Sequence, residues 1–148
     1  MEVVRAGLEH LDRLSKLFDG YRVFYKQASD MNKARAFLKD RLENNESVIF
    51  AVETPEGDLL GFTQLYPLFS SVSARRIWQL NDLFVAGHAR RKGVAQMLMD
   101  AARLFAIETG AKGLALETGV DNTGAQALYE KLGYEKQEGA FWYFLGTP

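Results

Sequence analysis

Asn81 and Asp82 sit side by side inside an otherwise apolar stretch, Ile77-Trp78-Gln79-Leu80-Asn81-Asp82-Leu83-Phe84-Val85. Two polar side chains are costly to bury in such a place without partners. They either satisfy backbone groups of a neighbouring loop or face a solvated cleft where a carboxylate can take up a proton. Shortly after Val85 comes a second chemical feature, Arg90-Arg91-Lys92-Gly93-Val94-Ala95. It reads as a tight basic turn opening a helix, with Gly93 at its mouth. A helix start leaves backbone N–H groups without acceptors, aimed together at the positive end of the helix dipole, with three cations beside them here. Such a place binds phosphate. A third candidate is Tyr129, which sits at the edge of a packing stripe made by Ala125, Leu128 and Leu132. On sequence alone it is an amphipathic packing residue with its hydroxyl toward water.

The stretch 77–85 does not keep a clean period of two. Trp78 and Leu80 are in phase with each other, while Leu83 and Val85 occupy the opposite phase. A one-residue shift of this kind is what a β-bulge produces, and bulges gather beside active sites. A strand buried on both faces gives the same pattern with no bulge.

The elements that must position these groups follow from periodicity and turn chemistry. A strand over residues 2–5 precedes a helical stripe of Leu8, Leu11, Leu14, Leu17 and Phe18, which runs into Tyr21, Phe24 and Tyr25 and breaks at Ser29-Asp30. Asp30 is placed to cap a second helix, with Ala34, Phe37, Leu38 and Leu42 on one face. Residues 47–52 read as a buried strand, Thr54-Pro55-Glu56-Gly57-Asp58 as a turn and 59–66 as the hairpin partner. Residues 67–74 read as a loop and 75–85 as a strand. The basic turn then opens a helix over 93–109 with Gly110 just past its end. A short strand over 113–117, a compact helix over 122–132 closed by Gly133, and two strands near 134–137 and 140–145 complete the chain. The expected fold class is α/β of the α+β type, a mixed and mostly antiparallel sheet of about seven strands flanked by four helices. One domain spanning 1–148 is expected.

Bulk properties narrow the function. A chain of 148 residues can bury roughly 70% of its unfolded surface and fold alone. Lys+Arg (18) and Asp+Glu (19) nearly cancel, so no global field draws it toward nucleic acid or a membrane. The absence of cysteine excludes a disulfide framework, a thiolate nucleophile and a cysteine-ligated zinc, and it fits a reducing compartment. Neither a signal peptide nor a membrane span is expected, since no apolar run approaches the ~18 residues needed. A cytoplasmic protein is the expectation. His10 and His88 lie far apart with no acidic companions, so no metal site is expected.

An apolar strand, then Arg-x-x-Gly-x-Ala opening a helix (Arg90, Gly93, Ala95), then a strand, then Asn-x-x-Ala-x-x-Leu-Tyr-x-x-Leu-Gly-Tyr (Asn122 to Tyr134), resembles the GNAT superfamily of acetyl-CoA-dependent N-acetyltransferases. The element order matches over nearly the whole chain, and the specific motifs lie in residues 78–134. Leu80-Asn81-Asp82-Leu83-Phe84-Val85 resembles the branch that contains the diamine acetyltransferases and small yeast histone- and amino-acid-acetylating relatives.

The resemblance implies roles. The turn formed by Arg90, Arg91, Lys92, Gly93, Val94 and Ala95 would hold the pyrophosphate of acetyl-CoA through backbone amides. The free backbone of Leu83, Phe84 and Val85 would pair with pantetheine and orient the acetyl carbonyl. Asn122 would bind the pantetheine arm, and Tyr129 would lie near the sulfur and protonate the departing thiolate. Relatives use a carboxylate on the bulged strand as base. Here the matching position is Asn81, which cannot serve, so the adjacent Asp82 is the candidate base, with Glu117 in reserve. Tyr21, Tyr25, Asp30, Trp78 and Asn81 become candidate substrate-binding residues, with the aromatic cluster Phe141-Trp142-Tyr143-Phe144 behind them. The competing reading is a cap for Asp30 and plain core or dimer packing for the aromatics.

Two departures from the family pattern stand out: Arg91 where glycine is usual, and Gly87 where many relatives carry proline. The expected function is transfer of acetyl to a primary amine of a small molecule, in a homodimer. The rivals are a protein lysine or N-terminal acetyltransferase, and a module that holds acyl-CoA without turnover.

Overall fold

The computed structural model describes residues 1–148 and resolves the chain into two compact units, Met1–Leu116 and Glu117–Pro148. The first holds a five-stranded sheet in the order β1-β2-β3-β4-β5. Its strands are β1 (Glu2–Arg5), β2 (Val48–Glu53), β3 (Leu59–Ser70), β4 (Arg75–Val85) and β5 (Leu114–Ala115). The first four pair antiparallel, and β5 lies parallel to β4.

Helices α1 (Leu11–Phe24) and α2 (Met31–Glu43) cover one face of this sheet. Leu14, Leu17, Phe18, Ala34 and Leu38 meet Ile49, Ala51 and Phe62 in one buried cluster. Helix α3 (Val94–Glu108) covers the other face, where Val94 and Leu98 pack with Val52 and Leu60, flanked by Leu83 and Val85. The stripes at three- and four-residue spacing are therefore the faces that meet the sheet. Asp30 caps α2, accepting the Lys33 N–H at 3.0 Å. Gly110 ends α3 in the left-handed region at φ 69.

The segment between α1 and α2 is tied down by a buried carboxylate. Asp19 accepts the Ser29 hydroxyl at 2.6 Å and the Asp30 N–H at 2.8 Å. These hydrogen bonds, first that of Ser29, hold its pKa below the ordinary value against the effect of burial.

Three differences from expectation stand out, the smallest being that β5 holds only Leu114–Ala115 of the expected 113–117. Strand β3 continues through Pro67 to Ser70, because β4 supplies partners as far as Ser70 opposite Arg75, leaving only residues 71–74 as the turn. Proline is tolerated there since β2 ends opposite Leu65, so its missing N–H faces no ladder. The two C-terminal strands do not form, and the sheet has five strands instead of about seven. A strand exists only through a partner, and the continuous apolar run 141–145 carries no period that names one. Its side chains are each at least 74% exposed.

In the second unit, α4 (Thr123–Lys131) is capped by Asn122, whose Oδ1 accepts the Ala125 N–H at 3.2 Å. Gly133, at φ 94, closes it, and the Tyr134 N–H bonds the Tyr129 carbonyl at 3.0 Å. No helix of the chain is long and apolar enough to cross a membrane.

Candidate active site

Strand β4 carries the chemistry, and a bulge sets it. Gln64 pairs with Asp82 and the next residue, Leu65, pairs with Leu80, so Asn81 is the inserted residue. Before the bulge, Trp78 faces α3, its ring 5.0 Å from Phe105. After it, Phe84 turns toward α1, 6.2 Å from Tyr21, while Leu83 and Val85 face α3. The phase shift in 77–85 is thus a bulge within a strand covered on both faces, and both sequence readings were partly right.

The bulge delivers Asp82 into the interior at 3% exposure. Its Oδ2 accepts from the Gln64 amide and its Oδ1 from Asn81 Nδ2 at 2.9 Å. Burial raises its pKa, and the hydrogen bonds from Gln64, Asn81 and Tyr21 oppose the rise without cancelling it. The same pocket raises its tyrosines. Tyr66 is pushed up to about 12, first by burial and then by the Asp82 charge. Tyr21 is pushed higher still for the same two reasons. An acceptor that stays basic thus lies beside phenols that keep their protons.

Tyr21 and Tyr25 join this pocket edge to face, 5.0 Å apart, and the Tyr21 hydroxyl lies 3.5 Å from the Asn81 carbonyl. Asp30 is spent as a helix cap. Trp78 lies apart from the tyrosines, toward α3, where its indole Nε1 donates to Thr109 Oγ1 at 2.9 Å. Its evident work is to fasten the end of α3 to the sheet.

Beyond the bulge, β4 loses its neighbour. The pairing with β5 covers only Trp78–Leu114 and Gln79–Ala115, so Leu83, Phe84 and Val85 have a strand on one side alone. The basic turn follows. Arg91 adopts φ 62 and Gly93 φ 79, both left-handed. The first helical donor is Met97, bonding the Gly93 carbonyl at 3.1 Å, so the N–H groups of Val94, Ala95 and Gln96 lie ahead of the helical ladder. Arg91 and Lys92 are exposed, whereas Arg90 turns back and donates to the Val85 carbonyl at 3.4 Å.

Sequence reading missed Gly61, Gln64, Ser47 and Tyr66. A Cβ on Gly61 would meet the Phe84 carbonyl oxygen at 2.8 Å and Val94 Cγ1 at 3.0 Å, so glycine lets β3 approach β4 and the start of α3. Gln64 is fully buried, and its Oε1 accepts the Ser47 hydroxyl at 2.8 Å. A buried glutamine within an apolar strand is the same signal that Asn81-Asp82 gave.

In the second unit, Asn122 caps α4 and Tyr129 packs 5.9 Å from Tyr134. Glu117 is exposed. The model of the acetyltransferase (GNAT) family matches residues 11–134, which takes in the bulged strand, the basic turn and the Tyr129 helix.

The chain belongs to the GNAT family of acetyltransferases.

The match to GNAT N-acetyltransferases extends to whole chains. The uncharacterized N-acetyltransferase YhfO of Bacillus subtilis is 50% identical over 148 residues, covering 100% of this chain and 99% of that protein. A crystal structure of a probable acetyltransferase is 46% identical with a TM-score of 0.94, covering 100% of this chain and 99% of that one. The fold is shared more widely. The aminoglycoside acetyltransferase AAC(6')-Iy, solved with the bisubstrate analog CoA-S-monomethyl-acetylneamine, superposes with a TM-score of 0.81 at 20% identity, over 99% and 98% of the two chains. The protein is accordingly a GNAT N-acetyltransferase with the α/β fold expected.

Proposed function

We propose that the protein transfers an acetyl group from acetyl-CoA to a primary amine of a small molecule, such as a polyamine or an amino acid, by direct attack with both substrates bound. The observation that supports this most is the buried carboxylate of Asp82 at the bulge of β4, the same strand that runs into the left-handed basic turn.

The turn suits a pyrophosphate. The N–H groups of Val94, Ala95 and Gln96 in the first turn of α3 have no ladder partner, exposed Arg91 and Lys92 add charge, and nothing beyond the adjoining chain lies within 4 Å of where a Gly93 Cβ would stand. The edge of β4 at Leu83, Phe84 and Val85, which β5 leaves uncovered and where Arg90 meets the Val85 carbonyl, is assigned to the pantetheine and the acetyl oxygen. Asn122 is assigned to the pantetheine arm by its motif, through Nδ2, because its Oδ1 caps α4.

An alkylamine has a pKa of about 10.4, so it must lose a proton before it attacks at neutral pH. Asp82 takes that proton, directly or through water, and its raised pKa makes it a stronger base than an exposed aspartate. Tyr21, Tyr25 and Asn81 line the acceptor side, with ring edges and faces suited to a cationic or apolar amine. Acetyl-CoA supplies the activated thioester, whose displacement by the amine leaves a thiolate. Tyr129 is assigned by its motif to protonate that sulfur.

In this reading one acetyltransferase domain spans 1–148, it works in the cytoplasm, and it forms a homodimer through the exposed aromatic segment 141–145. The test is acetyl-CoA consumption and thiol release over a panel of polyamines, amino acids and lysine peptides. Turnover with small amines supports the proposal, and turnover with peptides alone overturns the substrate class.

A further inference from the structure

A buried polar chain runs away from Asp82 into the sheet, and the reaction as described does not use it. The Ser47 hydroxyl donates to Gln64 Oε1 at 2.8 Å, and the Gln64 amide nitrogen donates to Asp82 Oδ2. Ser47 is 6% exposed, Gln64 0% and Asp82 3%. We infer that Ser47 and Gln64 are positioning residues that fix which end of the amide meets Asp82, and so keep the base ready to accept a proton. The inference rests on the reading of Asp82 as the base.

A glutamine side chain is nearly symmetric in shape and opposite in polarity at its two ends. Turned one way it gives Asp82 a donor, which favours the carboxylate. Turned the other way it would set a carbonyl oxygen against the carboxylate and favour the protonated acid. Nothing in Gln64 itself selects the orientation. Ser47 biases it, because its hydroxyl donates to the carbonyl end and so leaves the amide nitrogen for Asp82, while the Tyr66 hydroxyl also bonds the Gln64 side chain. Asn81 donates to the other carboxylate oxygen, Oδ1. Tyr21 of α1 and Tyr66 of β3 face Asp82 as neutral phenols, Tyr66 with a pKa of about 12 and Tyr21 higher, so neither titrates with it. The charge of Arg41 on α2 is felt by Tyr66.

The test is the acid limb of the pH profile of kcat/KM, taken with the carboxyl 13C titration of Asp82 in the folded protein without substrates. Gln64→Leu should move both midpoints up by about one pH unit, the worth of one hydrogen bond to a charged group. Ser47→Ala should move them the same way by less, and Ser47→Thr, which keeps a hydroxyl, should restore them. Equal midpoints in wild type, Ser47→Ala and Gln64→Leu would overturn the inference. If instead Asp82→Asn leaves the acid limb in place, the assignment of the base has failed, and the 13C midpoints still report whether Ser47 and Gln64 govern Asp82. Should Ser47→Ala not fold, Gln64→Leu and Gln64→Met carry the same two readouts.

Discussion

Gln64 and Asp82 are cross-strand partners on β3 and β4, and the residue inserted beside them, Asn81, places Asp82 on the face opposite to Leu80. In an unbroken strand, residues two apart share a face. Without the insertion, Asp82 would point with Leu80 and Trp78 into the apolar layer against α3. The bulge instead aims it into a pocket of hydroxyl and amide groups beneath α1.

Asp82→Asn should lower kcat/KM by on the order of 10²-fold at neutral pH, the usual worth of a positioned base. The deficit should shrink as pH climbs toward the amine's own pKa, where free amine no longer needs a base. Stability should move oppositely. A raised carboxyl pKa means the folded state holds the proton more tightly than the unfolded chain, so the ionised form costs stability. That cost is absent below the ordinary aspartate value and develops as pH rises through the raised one. Thermal melts should show wild type losing stability relative to Asp82→Asn as pH rises from acid to neutral.

Arg91→Gly should raise the melting temperature. Arg91 occupies φ 62, where a Cβ costs about 1 kcal/mol or somewhat more, and glycine removes that cost at the price of a freer unfolded chain. A net gain of up to about 1 kcal/mol in denaturant melts is expected, with acetyl-CoA affinity reduced only modestly by the lost cation. A marked loss of stability would show that the Arg91 side chain braces the turn.

Gly61→Ala should destabilise by about 1–3 kcal/mol, because the added methyl meets the backbone of Phe84, which cannot yield as a side chain can. The change also pushes β4 away where it faces the start of α3, so acetyl-CoA affinity should fall alongside stability. Equilibrium unfolding and calorimetry on the same preparation check both.

Tyr129→Phe should lower turnover by on the order of 10²-fold while leaving acetyl-CoA affinity nearly unchanged. Since only a hydroxyl is removed, single-turnover kinetics with a poor and a good leaving thiol discriminate its role. The variant's deficit should be larger for the more basic thiol, and an equal deficit would remove the proton from Tyr129.

The elements were legible wherever local chemistry decided them. Asp30 announced its helix by capping, Gly110 and Gly133 ended theirs in the left-handed conformation, and β4 ran from Arg75 to Val85 as its composition indicated. What escaped depended on partners distant in sequence. Pro67 marked a loop until the end of β2 opposite Leu65 showed why a missing N–H is tolerated. Trp78 stood with the substrate candidates because its place before the bulge, and so its face, follows from the β3 register. Gln64 and Ser47, 17 residues apart in sequence, gain meaning only once the strands pair. The run 141–145 has strand composition and no ladder in this fold.

The most direct measurement is titration calorimetry of the folded protein with acetyl-CoA and with CoA. Saturable binding at one site per chain, weakened by raised salt as exposed Arg91 and Lys92 are screened, is the expected result. No heat with either ligand on a preparation that melts cooperatively would contradict the assignment of the bulged strand and basic turn to an acetyl-CoA site.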